Sequence, residues 1–308
     1  MRMLVVGAGA TGGYFGGRLA QAGRDVTFLV RPGRAAHLRA NGLQIVSPHG
    51  DAAITPRIVT ASEIDGPYDI ILLAVKAYTL DAAIADMAKA VGPETMIVPM
   101  LNGMRHMDVL KQHFGAAAET GGVCKVAATI DEEGRIVQLA KFQELAYGRL
   151  DGSETPRVKE LDAFMQGAGF TARLTPAIAR EMWEKWVMLA TLGGVTCLMR
   201  GNIGEISSAP GGVDSVLRLL DEVVSVVRAV GEAPSDTLLG TLRTQFTSRD
   251  SAMASSMYRD LNQGGPIEAD QILGDLLVRG QAAGIHTPLL AAAYTQLAIH
   301  QARLAKQG

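Results

Sequence analysis

The sequence predicts a doubly wound α/β domain followed by an all-helical domain. Three observations carry this. The first half alternates short apolar runs with helix-like segments, the rhythm of βαβ units around a parallel sheet. After about residue 170 strand-like runs stop and long helical periods take over. The length of 308 residues exceeds what one ordinary core organises, so two domains are expected, 1–172 and 173–308.

The elements follow in order. Met3–Val6 is a short apolar strand that runs into glycines, and a helix continues to Ala22 with Gly23 placed to cap it. Asp25–Val30 reads as the second strand, and Arg34–Asn41 as a short helix closed by Gly42. Leu43–Val59 alternates as a hairpin does, turning around Pro48–Gly50. Asp69–Val75 is continuously apolar after its first residue, as a strand covered on both faces must be. Leu80–Val91 is helical, Met96–Met100 is a strand, and Gly121–Ile130 with Arg135–Tyr147 form strands about a turn at Glu133–Gly134. The second half reads as helices over Ala177–Leu192, Asp214–Val230, Ser235–Phe246, Ile267–Ala283 and Pro288–Ala305, punctuated by Gly231, Gly240 and Gly284.

Composition narrows the function classes. The net charge of −2 offers no basic surplus for nucleic acid or an anionic membrane surface. Two distant cysteines, Cys124 and Cys197, fit neither a disulfide framework nor metal-ligand spacing, so a reducing cytoplasm and no metal are expected. The apolar run at the start is too short for a secretion signal. The uncharged stretch Trp186–Met199, interrupted by Gly193 and Gly194, is too short to cross a bilayer and reads as buried helix.

Gly7-Ala8-Gly9-Ala10-Thr11-Gly12 spells G-x-G-x-x-G between a predicted strand and a predicted helix. That context suits a dinucleotide: Gly7 for the tight turn, Gly9 for close approach of a pyrophosphate, Gly12 for helix–strand packing, and the helix N-terminus for the phosphate charge. The other reading of these glycines is a plain βα turn. The end of the second strand reads Val30-Arg31-Pro32-Gly33-Arg34, with guanidiniums where an NAD site usually carries an acid. Two arginines suit a 2′-phosphate, so NADPH/NADP+ is the expected cofactor, the alternative being that both are solvated loop charges. Lys76 and Asn102 follow predicted strands at the edge where such sheets bind ligands. Lys76 reads as a cofactor or substrate contact or as a surface lysine. Asn102 reads as an amide near the nicotinamide or substrate, or as a turn former before Gly103.

In the helical half, "REMWEKWVMLATLGG" (Arg180–Gly194) places Lys185 beside an apolar row of Ile178, Met182 and Leu189, with Glu181 the nearest acid. Periodicity leaves two readings, a lysine snorkelling to solvent or an ammonium held in a cleft as electrophile and proton donor. Farther on, Ser255 and Ser256 read as capping or ligand-binding hydroxyls, and Glu268 as an acid in the first turn of a helix starting near Ile267.

Taken in order, "GAGATGG", "VKAY", "LNGM", "EMWEKW", "RGNIGEI" and "SSMYRDLNQGGPIEAD" resemble the ketopantoate reductase (2-dehydropantoate 2-reductase) family over essentially the whole chain. The resemblance implies an α/β Rossmann-type doubly wound sheet, an all-α C-terminal domain and an active site in the cleft between them. It implies NADPH-dependent reduction of ketopantoate to pantoate on the way to pantothenate and coenzyme A. By motif, Lys185 matches the catalytic lysine, Glu268 the acid that holds substrate hydroxyls, Ser256 a substrate-binding serine, Asn102 the asparagine of the "NG" loop, and Arg31 the 2′-phosphate contact. A homodimer is a further implication.

One departure qualifies the resemblance. The family usually carries asparagines four and eight residues after the lysine, and here Leu189 and Gly193 stand there. Either Gly193 makes room, or Thr191 and Thr196 compensate. A bulkier or more apolar 2-oxo or 3-oxo acid is therefore an alternative substrate. A nucleotide-binding regulator without turnover is a third reading, which the retained Lys185 and Glu268 oppose.

Overall fold

The computed structural model describes residues 1–306. The chain divides into two compact units, one formed by Met1–Leu101 and His106–Ala179, the other by Asn102–Arg105 and the chain from Arg180 onward.

The first unit is built on a parallel five-stranded sheet of β1 (Arg2–Val6), β2 (Asp25–Leu29), β5 (Arg57–Val59), β6 (Ile70–Leu73) and β7 (Met96–Pro99), in the spatial order β5-β2-β1-β6-β7. Successive residues of a strand face opposite sides. Met3 and Val5 accordingly join one core with Tyr14, Phe15 and Leu19 of α1 (Ala10–Gln21), while Leu4 and Val6 join another with Ile84 and Met87 of α3 (Leu80–Met87). Both faces are covered, which is why β1, β6 and β7 read as uninterrupted apolar runs. Connections leave β1 in opposite directions, to β2 on one side and β6 on the other, so the strand order reverses there. Such a reversal opens a crevice at the carboxyl ends of the strands.

A second sheet flanks the first. The long hairpin of β8 (Thr120–Ile130) and β9 (Ile136–Arg149) is antiparallel, and β3 (Leu43–Val46) pairs antiparallel with β4 (Ala52–Ile54) and parallel with β9. Both hairpins are anticipated by the sequence. The last strand, β10 (Thr171–Leu174), is not: it runs parallel to β9, with Thr171 opposite Glu144 and Leu174 opposite Tyr147. This pairing keeps the chain in the first unit until Ala179, later than the expected boundary at 172/173. Helices α2 (Pro32–Asn41), α4 (Arg105–Phe114) and α5 (Pro156–Met165) complete the connections.

The second unit is helical: α6 (Ile178–Met199), α7 (Ile203–Ser208), α8 (Gly212–Val230), α9 (Asp236–Phe246), α10 (Ser256–Asn262), α11 (Asp275–Ala282) and α12 (Pro288–Leu304), with a π-helical turn at Asp270–Gly274. Helix α6 continues through Gly193 and Gly194 to Met199, beyond its expected end at Leu192. Interior glycine costs a helix about 1 kcal/mol relative to alanine. Here it permits contact: a Cβ at Gly193 would lie 2.8 Å from Cε of Met257, and one at Gly194 would lie 2.8 Å from Cδ2 of Leu219. Among the described residues no helix is long and apolar enough to cross a membrane.

Candidate active site

The loop after β1 divides its three motif glycines by role. Gly7 has φ +96°, which only glycine adopts freely, and its N–H donates to the Leu29 carbonyl at 3.1 Å. A Cβ on Gly12 would stand 2.2 Å from the Gly7 carbonyl oxygen and 2.7 Å from the Ala74 Cβ. Protein packing therefore explains Gly7 and Gly12. It does not explain Gly9, whose φ of −81° suits any residue and whose Cβ would meet nothing within 4 Å. The open space at Gly9 is what close approach of a ligand to the backbone requires. Gly9 is also the N-cap of α1, with no side-chain cap and no acid in the first turn. The first N–H groups, on Ala10, Thr11 and Gly12, thus present the positive end of the helix without a competing carboxylate. These residues fit a dinucleotide phosphate.

The two arginines after β2 differ. Arg31 is the exposed N-cap of α2. Arg34 turns inward: Nε donates to the Ala8 carbonyl at 3.3 Å, Nη1 donates to the Gly134 carbonyl at 3.1 Å, and Nη2 is buried with no hydrogen-bond partner among the described residues. Burial lowers its pKa. Arg34 braces the glycine loop against the β8–β9 turn, a role that sequence reading missed because the turn lies a hundred residues away in the chain. Asp25, at the far end of β2, pairs with Arg57 at 2.7 Å. Lys76 is exposed beyond β6, and its carbonyl accepts from the Thr79 N–H and hydroxyl, both at 2.9 Å.

The remaining sequence-predicted residues all fall in the second unit. Lys185 is half-buried midway along α6, between half-buried Glu181 and Leu189 and next to fully buried Trp186. Trp186 Nε1 donates to the Ile272 carbonyl at 2.9 Å, and the Arg279 guanidinium lies over its ring. Ile272 belongs to the π-helical turn, and its own N–H donates to the Glu268 carbonyl at 3.0 Å. Glu268 is half-buried and precedes this turn, whereas the sequence placed it inside a first helical turn. Next to Ile272, Gln271 is 6% exposed and donates to the Asn102 carbonyl at 3.0 Å. Gly103 has φ +78°, and a Cβ there would lie 2.6 Å from the Gln271 carbonyl oxygen. The segments carrying Lys185, Glu268 and half-buried Asn102 are thus tied together through their neighbours Trp186, Ile272 and Gln271.

The widened turn is itself anchored. Asp270 accepts from the Tyr294 hydroxyl at 2.8 Å and from Gln301 at 3.2 Å, and Gly274 packs against the Tyr294 ring. π-Turns inside helices are rare and occur often at functional sites. Of the two serines, Ser255 is the cap of α10: its Oγ accepts from the Tyr258 N–H at 3.0 Å. Ser256, the first residue of α10, is exposed. Thr196 does not replace the missing amides, because its hydroxyl donates to the Leu192 carbonyl at 2.6 Å and bonds Ser255 Oγ at 3.0 Å. Thr191 is fully buried, its hydroxyl without a partner among the described residues, and at helical spacing it lies on another face than Lys185. No group of three or more metal-ligating side chains occurs among the described residues.

Comparison with known proteins follows this division. The model of the family described as ketopantoate reductase PanE/ApbA matches residues 3–152, and that of its C-terminal part matches residues 177–301. The oxidoreductase YkpB of Bacillus subtilis (strain 168), described as uncharacterised, is 34% identical over 98% of this chain and 99% of its own length. The crystal structure of 2-dehydropantoate 2-reductase from Geobacter metallireducens GS-15 superposes with a TM-score of 0.85 at 28% identity, covering 96% of this chain and 99% of that one. A D-mandelate dehydrogenase, solved with NADH and anilino(oxo)acetate, shares the fold at a TM-score of 0.87 and 21% identity, covering 99% and 100% of the two chains.

Proposed function

The chain belongs to the ketopantoate reductase PanE/ApbA family, and from that premise we propose that it reduces a 2-oxo acid to the 2-hydroxy acid with NADPH, ketopantoate to pantoate being the reaction by which the family is described. It is an oxidoreductase. The observation that carries the reading is the tying of the Lys185, Glu268 and Asn102 segments through Trp186–Ile272 and Gln271–Asn102. A lysine, an acid and an amide on one scaffold are what a carbonyl reduction needs beside its hydride source.

When bound, NADPH supplies the hydride that the carbonyl carbon accepts. Gly9, with its open flank, and the uncapped start of α1 would hold the pyrophosphate. Arg31 would pair the 2′-phosphate through its planar guanidinium. Lys185 directs its ammonium at the carbonyl oxygen, stabilises the charge that develops there, and gives up one proton as the O–H bond forms. Glu268 accepts a hydrogen bond from the hydroxyl that forms at carbon 2. Ser256 and the Asn102 amide would fix the orientation of the substrate carbonyl. Lys76 stands after β6 as a further cofactor contact.

A second reading, reduction of another, bulkier 2-oxo or 3-oxo acid, is favoured by Leu189, which follows Lys185 by one turn and cannot hydrogen-bond a substrate. The test is NADPH oxidation with ketopantoate beside a panel of 2-oxo and 3-oxo acids. Turnover of ketopantoate supports the first reading. Turnover of another acid with none of ketopantoate supports the second. Binding of NADPH without turnover of any acid defeats both.

A further inference from the structure

The stripe of α6 that continues from Lys185 offers a substrate almost no hydrogen bond. Side chains on a helix lean toward its N-terminus, so residue 189 covers the turn that carries Lys185. That residue is a half-buried leucine. Farther along the stripe is Gly193, where a Cβ would lie 2.8 Å from Cε of Met257. The Met257 side chain, 3% exposed, therefore fills the space that a side chain at 193 would take. Beyond it, the hydroxyls of Thr196 and Ser255 bond each other, the Leu192 carbonyl and the Tyr258 N–H, and are spent within the protein.

We infer that Leu189, backed by the buried Met257, forms a hydrocarbon subsite, so that the enzyme prefers 2-oxo acids with a branched, unhydroxylated alkyl group at carbon 3. This rests on the proposed placing of the substrate carbonyl at Lys185. Glu268 serves as acceptor for the hydroxyl created at carbon 2. A second hydroxyl, at the far end of the acid, meets the leucine instead. Met257, seated in the notch that Gly193 leaves, closes the stripe beyond Leu189.

The magnitude follows from how pockets discriminate. An apolar pocket disfavours an added hydroxyl by about 100-fold at most, whereas a site built to bond that hydroxyl rejects the analogue without it by about 10⁴-fold or more. Trimethylpyruvate is ketopantoate with its hydroxyl replaced by hydrogen, so the pair isolates this one group. With NADPH as donor, kcat/KM for trimethylpyruvate is expected to exceed that for ketopantoate by about 10- to 100-fold. Leu189→Asn is expected to bring that ratio down at least tenfold by giving the hydroxyl a partner. The wild-type ratio decides the matter even if the variant does not fold. Equal or better use of ketopantoate overturns the hydrocarbon subsite and leaves the reductase reading intact. Turnover of neither acid, where other acids are reduced, also overturns it. Turnover of no 2-oxo acid at all overturns both.

Discussion

Gln271 Nε2 donates to the carbonyl oxygen of Asn102 at 3.0 Å, joining positions 169 residues apart in the sequence. This bond gathers the short segment Asn102–Arg105 into the helical unit and sets where the Asn102 amide begins. Removing the donor leaves the carbonyl without its partner, a loss of about 1–3 kcal/mol. Gln271→Leu should lower Tm by several degrees and kcat/KM for a 2-oxo acid by about tenfold, near the 1.4 kcal/mol equivalent. Gln271→Glu, isosteric but without the donor at neutral pH, should lose as much activity. Full activity in both variants would show that Asn102 needs no such support.

The glycine loop makes opposite predictions for two neighbouring positions. Gly12→Ala forces a methyl group to within 2.2 Å of the Gly7 carbonyl oxygen and should cost about 1–3 kcal/mol of stability. Gly9→Ala meets no protein atom within 4 Å. Its stability should stay within about 0.5 kcal/mol of wild type, as for an ordinary surface change, while its Kd for NADPH rises at least tenfold. Thermal melts and cofactor titration of the two variants separate packing from binding.

Arg31 and Arg34 should separate in the same way. Hydrogen bonds to a charged group contribute about 1.5–3 kcal/mol, so Arg31→Ala should weaken NADPH by about 10- to 100-fold and leave NADH nearly unchanged. Arg34 holds the Ala8 and Gly134 carbonyls. Arg34→Ala should therefore weaken both nucleotides and lower Tm. An equal loss of both nucleotides in Arg31→Ala would remove its phosphate role.

Burial pushes the Cys197 thiol up to about 12. The thiolate is the nucleophile, so at pH 8 only about one molecule in 10⁴ carries a reactive sulfur there. Alkylation at pH 8 followed by peptide mass spectrometry should modify half-buried Cys124 first and Cys197 only after unfolding. Raising the pH toward 12 should speed Cys197 labelling if the fold survives.

What was legible in the sequence has physical causes. Strands β1, β6 and β7 announce themselves because both faces of the sheet are covered, and Gly7 and Gly12 because packing leaves them no alternative. β10 was not legible: its four residues are at most half-buried and pair with β9 across a helix, so they carry neither an apolar run nor a turn signal. The π-helical turn was hidden because one extra residue shifts the phase of a helical pattern without breaking it. Gly193 and Gly194 looked like a helix end, since their contacts with Met257 and Leu219 are invisible along the chain. Ser255 and Ser256 are adjacent and alike in chemistry, and only the fold distinguishes the buried cap from the exposed hydroxyl. Lys185 is a border lysine by periodicity; in the fold its neighbour Trp186 bonds Ile272, beside the Gln271 that holds the Asn102 carbonyl.

The central claim is that Lys185 supplies the proton to a carbonyl being reduced, and the most direct measurement compares wild type with Lys185→Ala for kcat on a turned-over 2-oxo acid and for Kd of NADPH. Loss of a positioned general acid costs about 10²- to 10⁴-fold. We predict a fall in kcat of that size with an NADPH Kd within about twofold of wild type; a kcat near wild type would contradict the account.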